Sequence, residues 1–228
     1  MKLTASLAAI AAAIAAVSTA GAASAQDATF AFNVAGTSDY VFRGFSQTAE
    51  DSALQLGADA TVGNYYVGAW ASNVDFGDET DAEVDLYGGY RTEVAGFAVD
   101  VGAIAYLYVG EPNRAAYNYV EAKLAVSRAF GPLTTGVAAY ISPDFFGVDE
   151  VATYFEANAA FAVTDKLSVS GAVGNQQLDK SDDYVTYNVG AAYAITSNLI
   201  ADVRYHDTDV DNVGIAEDRV VGTLKVVF

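Results

Sequence analysis

The 228-residue chain has no cysteine, a single methionine at position 1, one histidine and three prolines. Without cysteine there is no disulfide, thiolate metal site or cysteine nucleophile, so stability in an oxidising compartment has to come from a hydrogen-bonded backbone. Positive charge is also scarce: 11 Lys and Arg stand against 29 Asp and Glu, a net charge of −18. That balance argues against nucleic acid or a bare anionic membrane surface as partner, since both require a cationic excess. Downstream of residue 25 there is no apolar run long enough for a membrane-spanning helix, although 53% of residues are hydrophobic. A helical membrane protein is thereby excluded.

What is present begins with an address. Lys2, an alanine-rich apolar stretch over 7–17 and Ala23-Ser24-Ala25 before Gln26 have the form of a secretory signal peptide. The stretch is too short for a transmembrane helix. Two regions follow: residues 1–25, a cleaved signal, and residues 26–228, the folded chain.

The remainder contains 15 Tyr, 12 Phe and 20 Gly, a mixture suited to strands. Hydrophobicity alternates with period 2 near 28–43, 52–62, 65–74, 82–94, 97–109, 117–130, 133–142, 151–163, 167–177, 184–195, 199–208 and 217–228. These make about twelve strands, or ten if two weak segments are loops. Tight turns at 63–64, 95–96, 131–132, 164–166 and 196–198 alternate with longer acidic or polar joins near 44–51, 75–81, 110–116, 143–150, 178–183 and 208–216. Five turns and six loops fit an antiparallel up-and-down transmembrane β-barrel with both termini on the turn side, which is the periplasmic side in such barrels.

The faces sort in the same sense. Val84, Leu86 and Tyr90 oppose Glu83, Asp85, Tyr87, Arg91 and Glu93, while Val120, Leu124 and Val126 oppose Glu121 and Lys123. A Lys or Arg on a lipid face would cost about 2–4 kcal/mol at the bilayer midplane, so these charges are expected to point inward. A soluble β-sandwich alternates too, and the period alone does not separate the two. The ending does: Leu224, Val226 and Phe228 lie on one face of a strand that stops on an aromatic residue, as expected of a closing strand that also serves as a barrel-assembly signal.

Four segments carry a more specific likeness. Ser38-Asp39-Tyr40-Val41-Phe42-Arg43-Gly44-Phe45-Ser46-Gln47-Thr48, Gly68 to Val74, Glu83 to Tyr90 and Tyr205-His206-Asp207-Thr208-Asp209 resemble the TorF family of porins over nearly the whole mature chain. The resemblance implies a channel in the outer membrane of a Gram-negative bacterium and does not name a solute. Lipid and the barrel-assembly machinery are then the implied partners, with no cofactor.

Twelve strands about 4.8 Å apart and tilted by about 40° enclose a cylinder roughly 24 Å across. Inward side chains reduce it to a narrow pore or none. Pore-lining candidates are Asp39, Arg43, Asp59, Glu83, Asp85, Arg91, Glu93, Asp100, Glu121, Lys123, Glu156, Asp202, Arg204 and His206, with Arg219 in the same register. Their mixed signs suit either a transverse field that selects small polar solutes or ions, or a ladder of wall-bracing ion pairs. Arg43 and Asp39, four apart on one strand face, are the leading constriction or bracing pair. Tyr66, Trp70, Tyr87, Tyr106, Tyr108 and Tyr140 are also expected inside, and no segment has the pattern of a folded plug.

Three other readings stay open. A non-conducting barrel could serve structurally or present loops. An enzyme would use His206 with Asp202 or Asp209 and Ser46, though adjacent Asp207 faces the other way. Asp207-x-Asp209-x-Asp211 has partial calcium-loop spacing, but Asn212 stands where such a loop needs glycine, so no metal site is expected. Oligomeric state is not legible, because lipid-facing and subunit-facing surfaces are both apolar.

Overall fold

Period-2 alternation becomes a closed wall. The structure, a computed structural model, describes residues 28–112 and 117–228; the expected signal peptide and residues 113–116 of the third long join lie outside them. The strands are β1 (Thr29–Thr37), β2 (Val41–Phe42), β3 (Phe45–Ser46), β4 (Ala53–Val62), β5 (Tyr65–Asn73), β6 (Ala82–Val94), β7 (Phe97–Val109), β8 (Tyr119–Phe130), β9 (Leu133–Ser142), β10 (Ala152–Ala162), β11 (Leu167–Leu178), β12 (Tyr184–Ala194), β13 (Leu199–Thr208) and β14 (Arg219–Val227). All except β2 and β3 form one closed antiparallel barrel of twelve strands, each paired with its neighbours in the wall. The β-sandwich alternative and the ten-strand count are both overturned by this closure.

The seam lies between the first and last strands. Asn33 to Thr37 pair with Val227 to Thr223, and the Phe228 amide donates to the Phe32 carbonyl at 2.9 Å. Pairing to the final residue leaves no free sheet edge, which an isolated strand end would otherwise present.

Which face is which follows from exposure. Phe30, Val67, Leu86, Leu124, Val137, Val203 and Val220 all point outward and are exposed. Side chains closed off inside include Gln176, Glu83, Glu121, Thr48 and Asp100, each no more than 2% exposed. A water-soluble protein buries its apolar groups. Here the order is inverted, the arrangement of a barrel whose outside meets hydrocarbon. Arg128 sits on the outward register near a turn, where its guanidinium lies over the rings of Phe97 and Phe130, 4.8 and 5.2 Å from their centroids.

The first long join departs from expectation. The alternating segment 28–43 is not one strand: wall pairing stops around Ser38, and the chain turns into the lumen. Val41-Phe42 pairs with Phe45-Ser46 across a two-residue turn in which Arg43 (φ 46°) and Gly44 (φ 87°) both have positive φ, as a type I′ hairpin requires. This inner hairpin, within the loop L1 (residues 38–52), crosses the barrel at the end bearing the long loops. The expectations that no segment folds as a plug, and that Asp39 and Arg43 share a strand face, are therefore corrected. Alternation reports an extended chain, and a hairpin inside the lumen is as extended as a strand in the wall.

The tip is sterically tight. A Cβ placed on Gly44 would run into Thr208 Cγ2 of β13 and lie 3.4 Å from Thr186 Cγ2 of β12. Gly44→Ala is expected to unseat the hairpin tip and lower the urea midpoint of the folded barrel, by roughly 1–3 kcal/mol of overpacking and positive-φ strain. An unchanged midpoint would mean that the tip is not packed against the wall.

Candidate functional site: the lumen and its inner hairpin

Arg43 is the centre of the loop-end lumen. Its two terminal nitrogens donate to both Glu121 carboxylate oxygens on β8, at 2.8 and 2.7 Å, and Nη1 also reaches Gln176 Oε1 on β11 at 3.1 Å. The guanidinium lies over Tyr154, Phe42 and Tyr140, 4.4, 4.7 and 5.2 Å from the ring centroids. Both partners of the ion pair are almost fully buried, at 6% and 1% side-chain exposure. A fork-to-fork contact of this kind is among the strongest charge-assisted hydrogen bonds, and the rings add cation–π attraction. The Tyr106 hydroxyl donates to the same Glu121 at 3.0 Å.

The rest of L1 is tied down around it. Tyr40 packs edge-on against Trp70 and donates to Glu83 Oε1 at 3.1 Å, while Phe42 meets Tyr106 and Phe45 meets Tyr184. Above Phe42 an aromatic cluster of Tyr106, Tyr108 and Tyr119 packs with Phe76, Tyr117, Phe145 and Phe146, the last two in a single 3-10 turn at Phe145–Gly147. Phe146 takes a positive φ of 51° to fit there. An apolar cup of about 740 Å³ opens above the hairpin, walled by Phe42, Phe45, Phe76, Phe145 and Tyr184.

Asp39 is held separately. Its carboxylate accepts from Ser46 Oγ at 2.7 Å, Thr48 Oγ1 at 3.0 Å and Arg219 Nη1 of β14 at 3.0 Å. Asp39 and Arg43, expected as one pair, thus end in two different ion pairs on opposite sides of the lumen. Glu83 Oε2 and Asp85 Oδ1, on the inward face of β6, are buried without a hydrogen-bond partner among the described residues.

Nearer the turns a second network braces the wall. Asp100 accepts from Tyr66 at 2.7 Å, Lys123 at 2.9 Å and Arg91 at 3.1 Å, and Asp59 accepts from Tyr87 at 2.8 Å. Glu93 is exposed close to a turn. Glu156 accepts from Asn158 at 2.9 Å, and Arg204 binds Asp202, Asn188 and Ser170. Tyr66→Phe removes one buried bond to a charged acceptor, so a loss of roughly 1.5 kcal/mol in folded stability is expected from urea titration; no loss would mean water replaces it. Glu156, Asn158, Arg204, Asp202 and Lys225 together line a cavity of about 450 Å³ in this half of the lumen.

The acids and the serine named for a catalytic arrangement are engaged with other partners: Asp202 pairs with Arg204. His206 points inward while Asp207 accepts from Tyr187 and Tyr205 outside, Asp209 accepts from the Val185 amide at 2.7 Å, and Ser46 is engaged with Asp39. The Asp207–Asp218 run likewise does not converge: among the described residues no three His, Cys, Asp or Glu side chains gather as metal ligands. Missed by sequence reasoning were Gln176, Lys225 and the role of Tyr40 and Tyr154. Gly44 was the available signal, standing at the second central position of a two-residue hairpin flanked by Val-Phe and Phe-Ser.

Solved structures similar to this chain include porins and an outer-membrane channel. A KdgM porin superposes with a TM-score of 0.60 at 8% identity, covering 87% of this chain and 98% of its own. The same porin in complex with disordered oligogalacturonate gives 0.61 at 8% identity and the same coverages. An outer-membrane channel of the COG4313 type from Pseudomonas putida F1 gives 0.50 at 11% identity, covering 92% of this chain and 99% of its own. At such identities the likeness is one of fold. No curated protein sequence matches. The family model described as a bacterial protein of unknown function, Gcw_chp, matches residues 19–227, and the chain therefore belongs to the Gcw_chp family.

Proposed function

We propose that this protein is an outer-membrane channel for passive diffusion of small polar solutes or ions, with L1 reducing the open lumen to a fraction of the barrel's width. The observation that carries the reading is the inverted barrel: an exterior of exposed Phe, Leu and Val around an interior of Asp, Glu, Arg and Tyr. A wall of that kind is stable in hydrocarbon and leaves charged groups facing a lumen wide enough to retain a cavity of about 450 Å³. The TorF-like segments and the channel fold of its structural neighbours support the same reading. Export by a cleaved signal over residues 1–25, with Leu224, Val226 and Phe228 recognised by the barrel-assembly machinery, belongs to the same proposal. Passage consumes no energy and needs no cofactor. Binding along the wall has to be weak for a solute to leave again.

A non-conducting barrel is the second reading, and the seating of Arg43 on Glu121 favours it, because a hairpin held so firmly could seal the lumen. Swelling of liposomes containing the refolded barrel separates the two. A channel predicts swelling in isosmotic solutions of small amino acids or monosaccharides and none with larger oligosaccharides; a sealed barrel predicts no swelling in any of them.

A further inference from the structure

L1 does not fill the lumen evenly. Its aromatic side and Arg43 press against β6 to β12, while a turn-end cavity that reaches across the lumen from β8 to β14 is followed, on the β13–β14–β1 side of L1, by two further chambers. The turn-end cavity of about 450 Å³ shares Asp202, Arg204 and Thr223 with a middle chamber of about 260 Å³. The middle chamber lies between Tyr40 of L1 and the wall, with His206 among its lining residues, and shares Asp39 with a loop-end chamber of about 310 Å³. Arg219 lines only the loop-end chamber, and its 3.0 Å bond to Asp39 stands where the two meet.

We propose that solutes pass from the turn-end cavity past L1 along the β13–β14–β1 wall, through the middle and loop-end chambers, and that the Asp39–Arg219 ion pair is the narrow, selectivity-determining point. This rests on the channel reading above. The route carries charge at both junctions, with Arg204 and Asp202 at the lower one and Asp39 and Arg219 at the upper one. Small solutes that carry both charges, or several hydroxyls, suit such a path, because each junction offers a cation beside an anion. Arg219 is fixed on its far side by the carbonyls of Gly214 and Glu217, at 2.8 and 3.0 Å, so the cation stays in place when Asp39 is exchanged. Arg43 on this account does not meet the solute; it holds the opposite side of L1 shut.

The absence of native cysteine makes the route directly readable. Thr223→Cys places a thiol where the lower and middle chambers join; Ala152→Cys places one inside β10, on the side that L1 covers. A small cationic methanethiosulfonate added during planar-bilayer recording is expected to reduce the Thr223→Cys current and leave the Ala152→Cys current unchanged. Asp39→Asn and Arg219→Gln, each checked for folding by heat-modifiable gel migration, are expected to shift reversal potential in opposite directions, towards anions and cations respectively. Reduction of the Ala152→Cys current alone, or identical reversal potentials in both charge variants, would overturn the route. If no variant carries current, thiol labelling from the loop side of sealed proteoliposomes still reads it. Labelled Thr223→Cys then supports continuous chambers and defeats only the channel reading, whereas unlabelled Thr223→Cys defeats both.

Discussion

Arg43→Ala is expected to raise the single-channel current severalfold. The substitution removes both hydrogen bonds to Glu121, the bond to Gln176 and the cation stacked on three rings, all of which hold one hairpin tip across the lumen. Removing one partner of a buried ion pair costs roughly 3–5 kcal/mol, largely because the remaining charge is left buried and unpaired. Hydration of Glu121 relieves that penalty, and displacement of L1 gives water its widest access. The wall closes without the contact, at some loss of stability, since the twelve wall strands pair with each other and not with β2 or β3. The variant should therefore migrate as a folded barrel on a gel while conducting more, with larger fluctuations. A folded Arg43→Ala barrel with the wild-type current would show that L1 stays seated without its cation. Aromatic packing of Phe42 and Phe45 would then be the force that holds it.

The second large effect concerns the outer surface. Lys123 and Leu124 are neighbours in the middle of β8; the first points inward to Asp100 and the second outward, 49% exposed. Leu124→Arg moves a cation one residue along the chain and across the wall. For a lipid-facing position near the midplane the cost is about 2–4 kcal/mol, enough to lower both the folded fraction after refolding and the urea midpoint in bilayers. Ser127→Arg, inward beside the turn-end cavity, is the matched control and is expected to fold as the wild type does. Equal tolerance of both would mean that the apolar exterior of this barrel does not meet hydrocarbon.

Much of the wall could be read from the amino-acid order, and little of what fills it. Alternation over 82–94 and 97–109 coincides with β6 and β7, and the turns at 63–64, 95–96 and 131–132 fall between the strands as expected. One face had to be apolar throughout, so a slipped strand would have exposed charge to the exterior, and this makes register legible. The first segment, 28–43, failed for a specific reason: the chain past Ser38 is as extended through Val41-Phe42 as the wall strand before it, and only Gly44 marks the reversal inside the lumen. Partnership was the harder problem. Arg43 and Glu121 were both expected inside, but they are 78 residues apart and meet only because a loop carries Arg43 across the lumen. Lys225 escaped notice because its neighbours Leu224 and Val226 belong to the outward face that the terminal strand advertises.

Whether a barrel crossed by its own first loop still conducts is decided most directly by current from the refolded chain in a planar bilayer under a salt gradient. The account predicts small, steady openings with a reversal potential displaced from zero, set by the charged groups along the β13–β14–β1 wall. Silence from wild type and Arg43→Ala alike, in protein shown to be folded and inserted, would contradict it and leave a closed barrel.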